Sequence, residues 1–201
     1  MGEEKQLRST LNGWLLQPAG VIATSHLLEQ VVRKLPGFEQ SRIARQLGRA
    51  AAAQGQDRLE LLLRDGLVAG TLEELFFRGL LFEVLRRQWG IRAAIVGSAL
   101  CFALAHLDPH QVLVAGLLGI QLGALRQVHG LAPAMLAHVA NNLLAFGSAA
   151  GSGQSGGPIG VILALAVSSA SCVLLARDLR AARTGAGVPA ATLQRSIRSD
   201  E

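Results

Sequence analysis

Three short runs of this sequence hold polar residues inside otherwise apolar surroundings. TLEELFFRGLL carries Glu73, Glu74 and Arg78, CFALAHL carries Phe102 and His106, and MLAHVANN carries His138 and Asn142. A charged side chain in the middle of a bilayer costs on the order of 2.5–3.5 kcal/mol, so such residues are kept for a use. On a helix Glu74 and Arg78 stand at i and i+4 with the acid first, the favourable order for an ion pair. Glu73 is turned about 100° away and finds no partner in its own helix. Phe102 and His106 share one helix face by the same spacing, as do His138 and Asn142. A single helical histidine is usually a satisfied packing residue. Two of them with an Asn and an unpaired Glu, on three separate segments, point to a site in the bundle interior.

The chemistry open to this set is hydrolysis without a nucleophilic side chain. A carboxylate desolvated among apolar groups serves as a general base on water. Two imidazoles and a carboxamide supply hydrogen bonds for a developing oxyanion. Ser98, Cys101 and Cys172 have no His at helical reach and make poor nucleophiles. His, His and Glu is also a ligand set for catalytic zinc. HExxH is absent, and the residue types leave metal and direct acid–base chemistry both open.

The elements that position these residues are apolar helices. Half of the 201 residues are hydrophobic and only 16% are charged, against roughly a quarter in soluble domains. Mean hydropathy is +0.37, which excludes disorder, and two Cys exclude a disulfide framework. Net charge is +5, and all but Lys5 and Lys34 of the 19 basic residues are Arg. They fall between apolar runs rather than in a patch interleaved with aromatics, so nucleic acid is not an expected partner. Apolar runs at Ile91–Leu107, Gln111–Leu125, Leu131–Gly147 and Pro158–Ala176 read as helices of a membrane bundle. Gly66–Leu85 has spanning length with charges inside, and Trp14–Val32 spans or lies in the interface. The expected fold is all-α, a polytopic transmembrane bundle of about five to six membrane segments with a catalytic core of four helices.

The chain divides into a membrane-associated segment and Arg-rich connector (1–60), a catalytic core (61–149), a loop with a last transmembrane helix (150–176) and a polar tail (177–201). Met1–Thr10 is polar and does not read as a secretory signal peptide. Arg86–Arg92 and the tail are rich in Arg while the turns at Asp108 and Ser148 carry none, which assigns the tail to the cytoplasmic side. Arg33–Arg58 holds six basic residues and falls on the opposite side if Gly66–Leu85 crosses once, so the sequence leaves the N-terminal topology open. His26, His110 and His129 lie in loops or weak segments and are expected to be solvated or interfacial.

The motifs EExxxR, FxxxH and HxxxN, in this order on separate apolar segments, resemble those of the CAAX-protease and bacteriocin-processing (CPBP) family of intramembrane proteases. The resemblance covers about Gly66–Phe146 and implies a glutamate-dependent endopeptidase acting inside the bilayer. It assigns Glu73 to water activation with His106, and His138 and Asn142 to an oxyanion hole. Glu74, Arg78 and Phe102 are supporting. The implied mechanism needs no cofactor, with a zinc-dependent version as the alternative. The bias to Arg, Ala and Gly points to a high-GC bacterium, hence to a bacterial inner (cytoplasmic) membrane and away from a prenylated substrate. The small size and short core resemble the compact bacterial members, among them the myxosortase-like group proposed to cut C-terminal sorting signals. Partners are then the lipid bilayer and a protein or peptide substrate. The competing class is a non-enzymatic membrane binding or immunity protein, which has no need of an unpaired glutamate.

Overall fold

A computed structural model describes residues 7, 9–148 and 158–183. The Gly/Ser-rich stretch at 149–157 and the tail from 184 onward lie outside the described residues. The described part is helical. After a wide turn at Asn12–Leu16 comes α1 (Gln17–Val32), followed by the short α2 (Arg42–Ala52). A long helical path, Gly55–Ala105, then reverses at Gly90. There φ is +80°, a conformation glycine adopts without a Cβ clash. Leu85 touches Gly97 and Phe77 touches Phe102 across the reversal. The path is therefore an antiparallel hairpin of α3 (55–89) and α4 (91–105). The helices α5 (Pro109–His129), α6 (Leu131–Ser148) and α7 (Pro158–Arg183) follow.

Gly55–Ala105, Pro109–His129 and Ile159–Ala182 are long and apolar enough to cross a membrane. Leu100, Leu104, Leu117, Ile120, Ile162 and Leu163 stand exposed on them. Outward aliphatic surface of that kind is the lipid-facing side of a bundle. This is a multi-pass helical membrane protein.

α1 is not peripheral. It packs against α5, α6 and α7, and Gln17 and Val21 are almost fully buried. Its polar residues account for this placement. Ser171 of α7 donates to Gln17 Oε1 at 2.8 Å, and Gln121 of α5 donates to Ser171 Oγ at 3.3 Å. Thr24 and Ser168 are 2.7 Å apart. Such hydroxyls and amides join helices where lipid offers no competing partner. At the Asp178 end, Asn12 donates to Asp178 at 2.8 Å. His129, expected to be solvated, is buried here instead, 3.4 Å from Asp178. Gly13 lies against its ring, so the wide turn before α1 and the end of α7 close over it.

The opposite end is organised by Asp108. Its Oδ1 accepts from the N–H groups of His110 and Gln111 at 3.0 Å, capping α5 ahead of Pro109. Its Oδ2 accepts from Arg42 N–H. Arg58 donates to the Gly147 carbonyl at this same end. The basic connector Arg33–Arg58 thus sits opposite the Gly90 reversal, and basic residues flank the bundle at both ends.

Burial pushes the Asp108 carboxyl up, but the backbone donors Arg42, Gln111 and His110 outweigh it and hold it below the usual carboxylate range. A folded pKa depressed in this way contributes stability above the unfolded value of about 3.9. That contribution is lost as pH falls through the folded value. Asp108→Ala is expected to cost about 0.5–2 kcal/mol at neutral pH. Melting temperatures in detergent for both proteins should converge as the pH is taken well below about 4. A gap that persists undiminished at low pH would show that the charge is not what matters.

Candidate active site

The glutamate pair lies on α3 between two stretches where the backbone bonding widens to i→i−5. One is Leu62–Val68, ending where Ala69 N–H reaches the Arg64 carbonyl, and the other is Leu75–Leu81, where Phe82 N–H reaches Phe77. Wide turns of this type recur at functional sites. Here the second lets two adjacent side chains, Phe77 and Arg78, both turn inward. Gly66 and Gly70 let α3 approach α6. A Cβ at Gly70 would sit 3.3 Å from both the Asn142 amide nitrogen and Val139.

Glu74 and Arg78 form the ion pair their spacing predicts, Nη1 to Oε1 at 2.8 Å, with neither side chain exposed. Arg78 also donates to the Gly119 carbonyl of α5 at 3.4 Å. Its guanidinium carbon stands 4.2 Å from the centre of the Phe102 ring, a cation–π contact in a desolvated setting. Phe102 is the hub of the site. Its ring meets His106 edge-on at 4.8 Å, His138 at 5.4 Å and Phe77 at 5.2 Å between centroids.

The two histidines are held by different acceptors. His106 Nδ1 is 2.8 Å from the Phe102 carbonyl. A carbonyl only accepts, so Nδ1 is the donor of this hydrogen bond. His138 Nδ1 is 2.8 Å from Glu74 Oε1, the oxygen that also takes Arg78. Glu74 therefore has a second duty that its spacing does not show, fixing an imidazole on another helix. With Nδ1 so engaged, His138 presents Nε2, and Glu73 Oε2 lies 3.6 Å from it. Glu73 is about a third exposed. The residue left without a partner in its own helix thus faces the α6 histidine.

A cavity of about 110 Å³ opens beside the histidines. Phe102, His106, His138 and Asn142 line it, whereas Glu73 does not. Two contributors went unnoticed in the sequence. Asn141 is buried and lines the cavity next to Asn142. Its signal is the Asn141-Asn142 doublet, three and four residues after His138. The other is the N-terminal part of the chain, which supplies Ser25, Glu29, Ile43 and Leu47 and carries no motif. Among the described residues, no three His, Cys, Asp or Glu side chains converge on a point that could hold a metal ion.

A buried ion pair, two imidazoles and a carboxamide thus come together within apolar helices, and the imidazoles and the carboxamide line the cavity. Residues 56–144 match the family model described as Rce1-like, type II CAAX prenyl endopeptidase Rce1-like. The match spans under half of the chain and takes in all three motifs, and it supports a place for this helical core in the CAAX-protease and bacteriocin-processing family. No curated protein and no solved structure gives a match.

Proposed function

We propose that the protein is a glutamate-dependent intramembrane endopeptidase that hydrolyses a peptide bond in a membrane-embedded or membrane-proximal protein or peptide. The observation that carries this reading is the meeting of the three motifs around Phe102, with Glu73 3.6 Å from His138 Nε2. Glu73 takes a proton from water as the water attacks the scissile carbonyl, and His106 Nε2 assists in that transfer. His138 and Asn142 stabilise the oxyanion that forms. The proton held by Glu73 then passes to the leaving amine, and the products are a new carboxylate and a new amine.

The reaction is metal-independent in this proposal. Purified protein in lipid nanodiscs should keep its activity in a strong chelator and carry no stoichiometric zinc. Zinc bound one-to-one and lost on His106→Ala would overturn the acid–base assignment, since catalytic zinc rests on about three protein ligands. Asn142→Ala should lower kcat by roughly 10²–10³, the usual cost of one oxyanion donor, with KM little changed. A rise in KM alone would make Asn142 a substrate-binding residue instead.

The proposed setting is a bacterial cytoplasmic membrane, with a substrate of the C-terminal sorting-signal type. What supports the setting is the composition, rich in Arg, Ala and Gly. The decisive observation is mass-spectrometric identification of a membrane protein shortened by the wild-type chain and left intact by Glu73→Gln.

A further inference from the structure

The wide turn at Leu75–Leu81 frees one backbone carbonyl. In an α-helix the Arg78 carbonyl takes its hydrogen from the residue four positions on, which is Phe82. Here the Phe82 N–H goes to Phe77 instead. Arg78 is fully buried, and a carbonyl left bare among apolar helices is costly unless a neighbouring helix supplies a donor. Arg126 of α5 is that donor, with its Nε 3.1 Å from the Arg78 carbonyl oxygen.

α5 therefore grips Arg78 at two points. The Gly119 carbonyl accepts from Arg78 Nη2 at 3.4 Å, and Arg126 donates to the Arg78 backbone. Gly119 and Arg126 are seven residues apart, two turns along one face of the helix. A Cβ at Gly119 would stand 3.3 Å from that same Nη2, so glycine leaves room for the guanidinium. Arg126 itself lies outside the cavity lining, with its guanidinium carbon 5.8 Å from the centre of the Phe82 ring.

What this donor holds is the inward aim of two adjacent side chains. Closing the turn to ordinary α bonding would send the Phe82 N–H back to the Arg78 carbonyl. Successive residues of an α-helix point about 100° apart, so Phe77 and Arg78 would no longer both face the interior. The Phe102 ring touches both of them and also meets His106 and His138. We propose that Arg126 is a positioning residue of the site: its Nε–H pins the wide turn open and, through Arg78 and Phe102, sets the two imidazoles. This rests on the endopeptidase reading and adds to it a residue outside the three motifs.

The competing role for an arginine near the end of a membrane helix is its charge, as an interfacial anchor. Two variants of matched length separate the roles. Glutamine places an amide N–H where Nε stands and carries no charge, whereas methionine has neither donor nor charge. Each full chain is assayed in lipid nanodiscs on a pool of palmitoyl-anchored peptides randomised over a short window. Arg126→Met should lower kcat by on the order of 10², the scale of about a 1 Å misplacement of reacting groups, with KM little changed. Arg126→Gln should bring kcat back close to wild type. Equal losses in the two variants make charge the cause and overturn the proposal, as does full activity in Arg126→Met. Should Arg126→Met fail to accumulate, Arg126→Gln decides alone: retained turnover supports the donor and lost turnover refutes it.

A second measurement does not depend on cleavage. With 4-fluorophenylalanine in place of the six Phe, the fluorine resonances of Phe77 and Phe102 should shift in Arg126→Met and keep their wild-type positions in Arg126→Gln. Phe38, at the Asp108 end against His110, should hold in both and serves as the reference. Phe77 and Phe102 resonances unmoved in Arg126→Met overturn the positioning role. A wild-type chain that cuts nothing while these resonances respond as expected defeats the endopeptidase reading and leaves the hold of Arg126 on the site standing.

Discussion

Glu74→Gln should yield a protein that accumulates poorly and melts early, with activity lost as a consequence. The carboxylate is fully buried and its Oε1 serves both Arg78 and His138. Removing one member of a buried pair leaves the other charge uncompensated, which typically costs about 3–5 kcal/mol. For a chain of this size that corresponds to a melting temperature lower by on the order of 10 °C, measured in detergent. The double variant Glu74→Gln/Arg78→Met should recover much of the loss, because a buried pair exchanged for apolar volume is often neutral. It should not recover turnover, since His138 would still lack the anion that holds its Nδ1. Recovery of both stability and turnover would reduce Glu74 to a counterion and remove its positioning role.

Glu73→Gln should do the opposite. The side chain is about a third exposed, and His138 lies 3.6 Å from it. Neutralising it removes no buried pair, so the melting temperature should hold or rise slightly. Turnover should fall by roughly 10²–10⁴, the contribution of a positioned general base. Glutamine keeps the shape of the side chain, so the loss reads on proton transfer rather than packing. Turnover of a palmitoyl-anchored peptide pool in nanodiscs, followed by mass spectrometry, checks it.

The parts of the site that obey helix periodicity were legible in the sequence. The Glu74–Arg78 pair and the shared faces of Phe102 with His106 and of His138 with Asn142 follow from i,i+4 spacing alone. The contact of Glu74 with His138 spans 64 residues, and no spacing rule within one helix reaches across two. The all-helical fold was legible from apolar run lengths, and so was the break near Gly90, where Arg86–Arg92 interrupts them. The inward place of α1 was not, because its weak hydropathy reflects Gln17 and Thr24, whose partners Ser171 and Ser168 lie on the last helix. His129 looked solvated for a similar reason: the residues that cover it, Gly13 and Asp178, come from distant parts of the chain.

Adjacent carboxylates with opposite duties are the centre of this account, and one paired measurement addresses them most directly. Glu73→Gln and Glu74→Gln are purified side by side, melted in detergent and assayed for peptide cleavage in the same nanodiscs. The expected result is a Glu73→Gln protein as stable as wild type and inactive, beside a Glu74→Gln protein that melts early. A Glu73→Gln protein that melts early beside a stable, inactive Glu74→Gln protein would show that the two roles are exchanged.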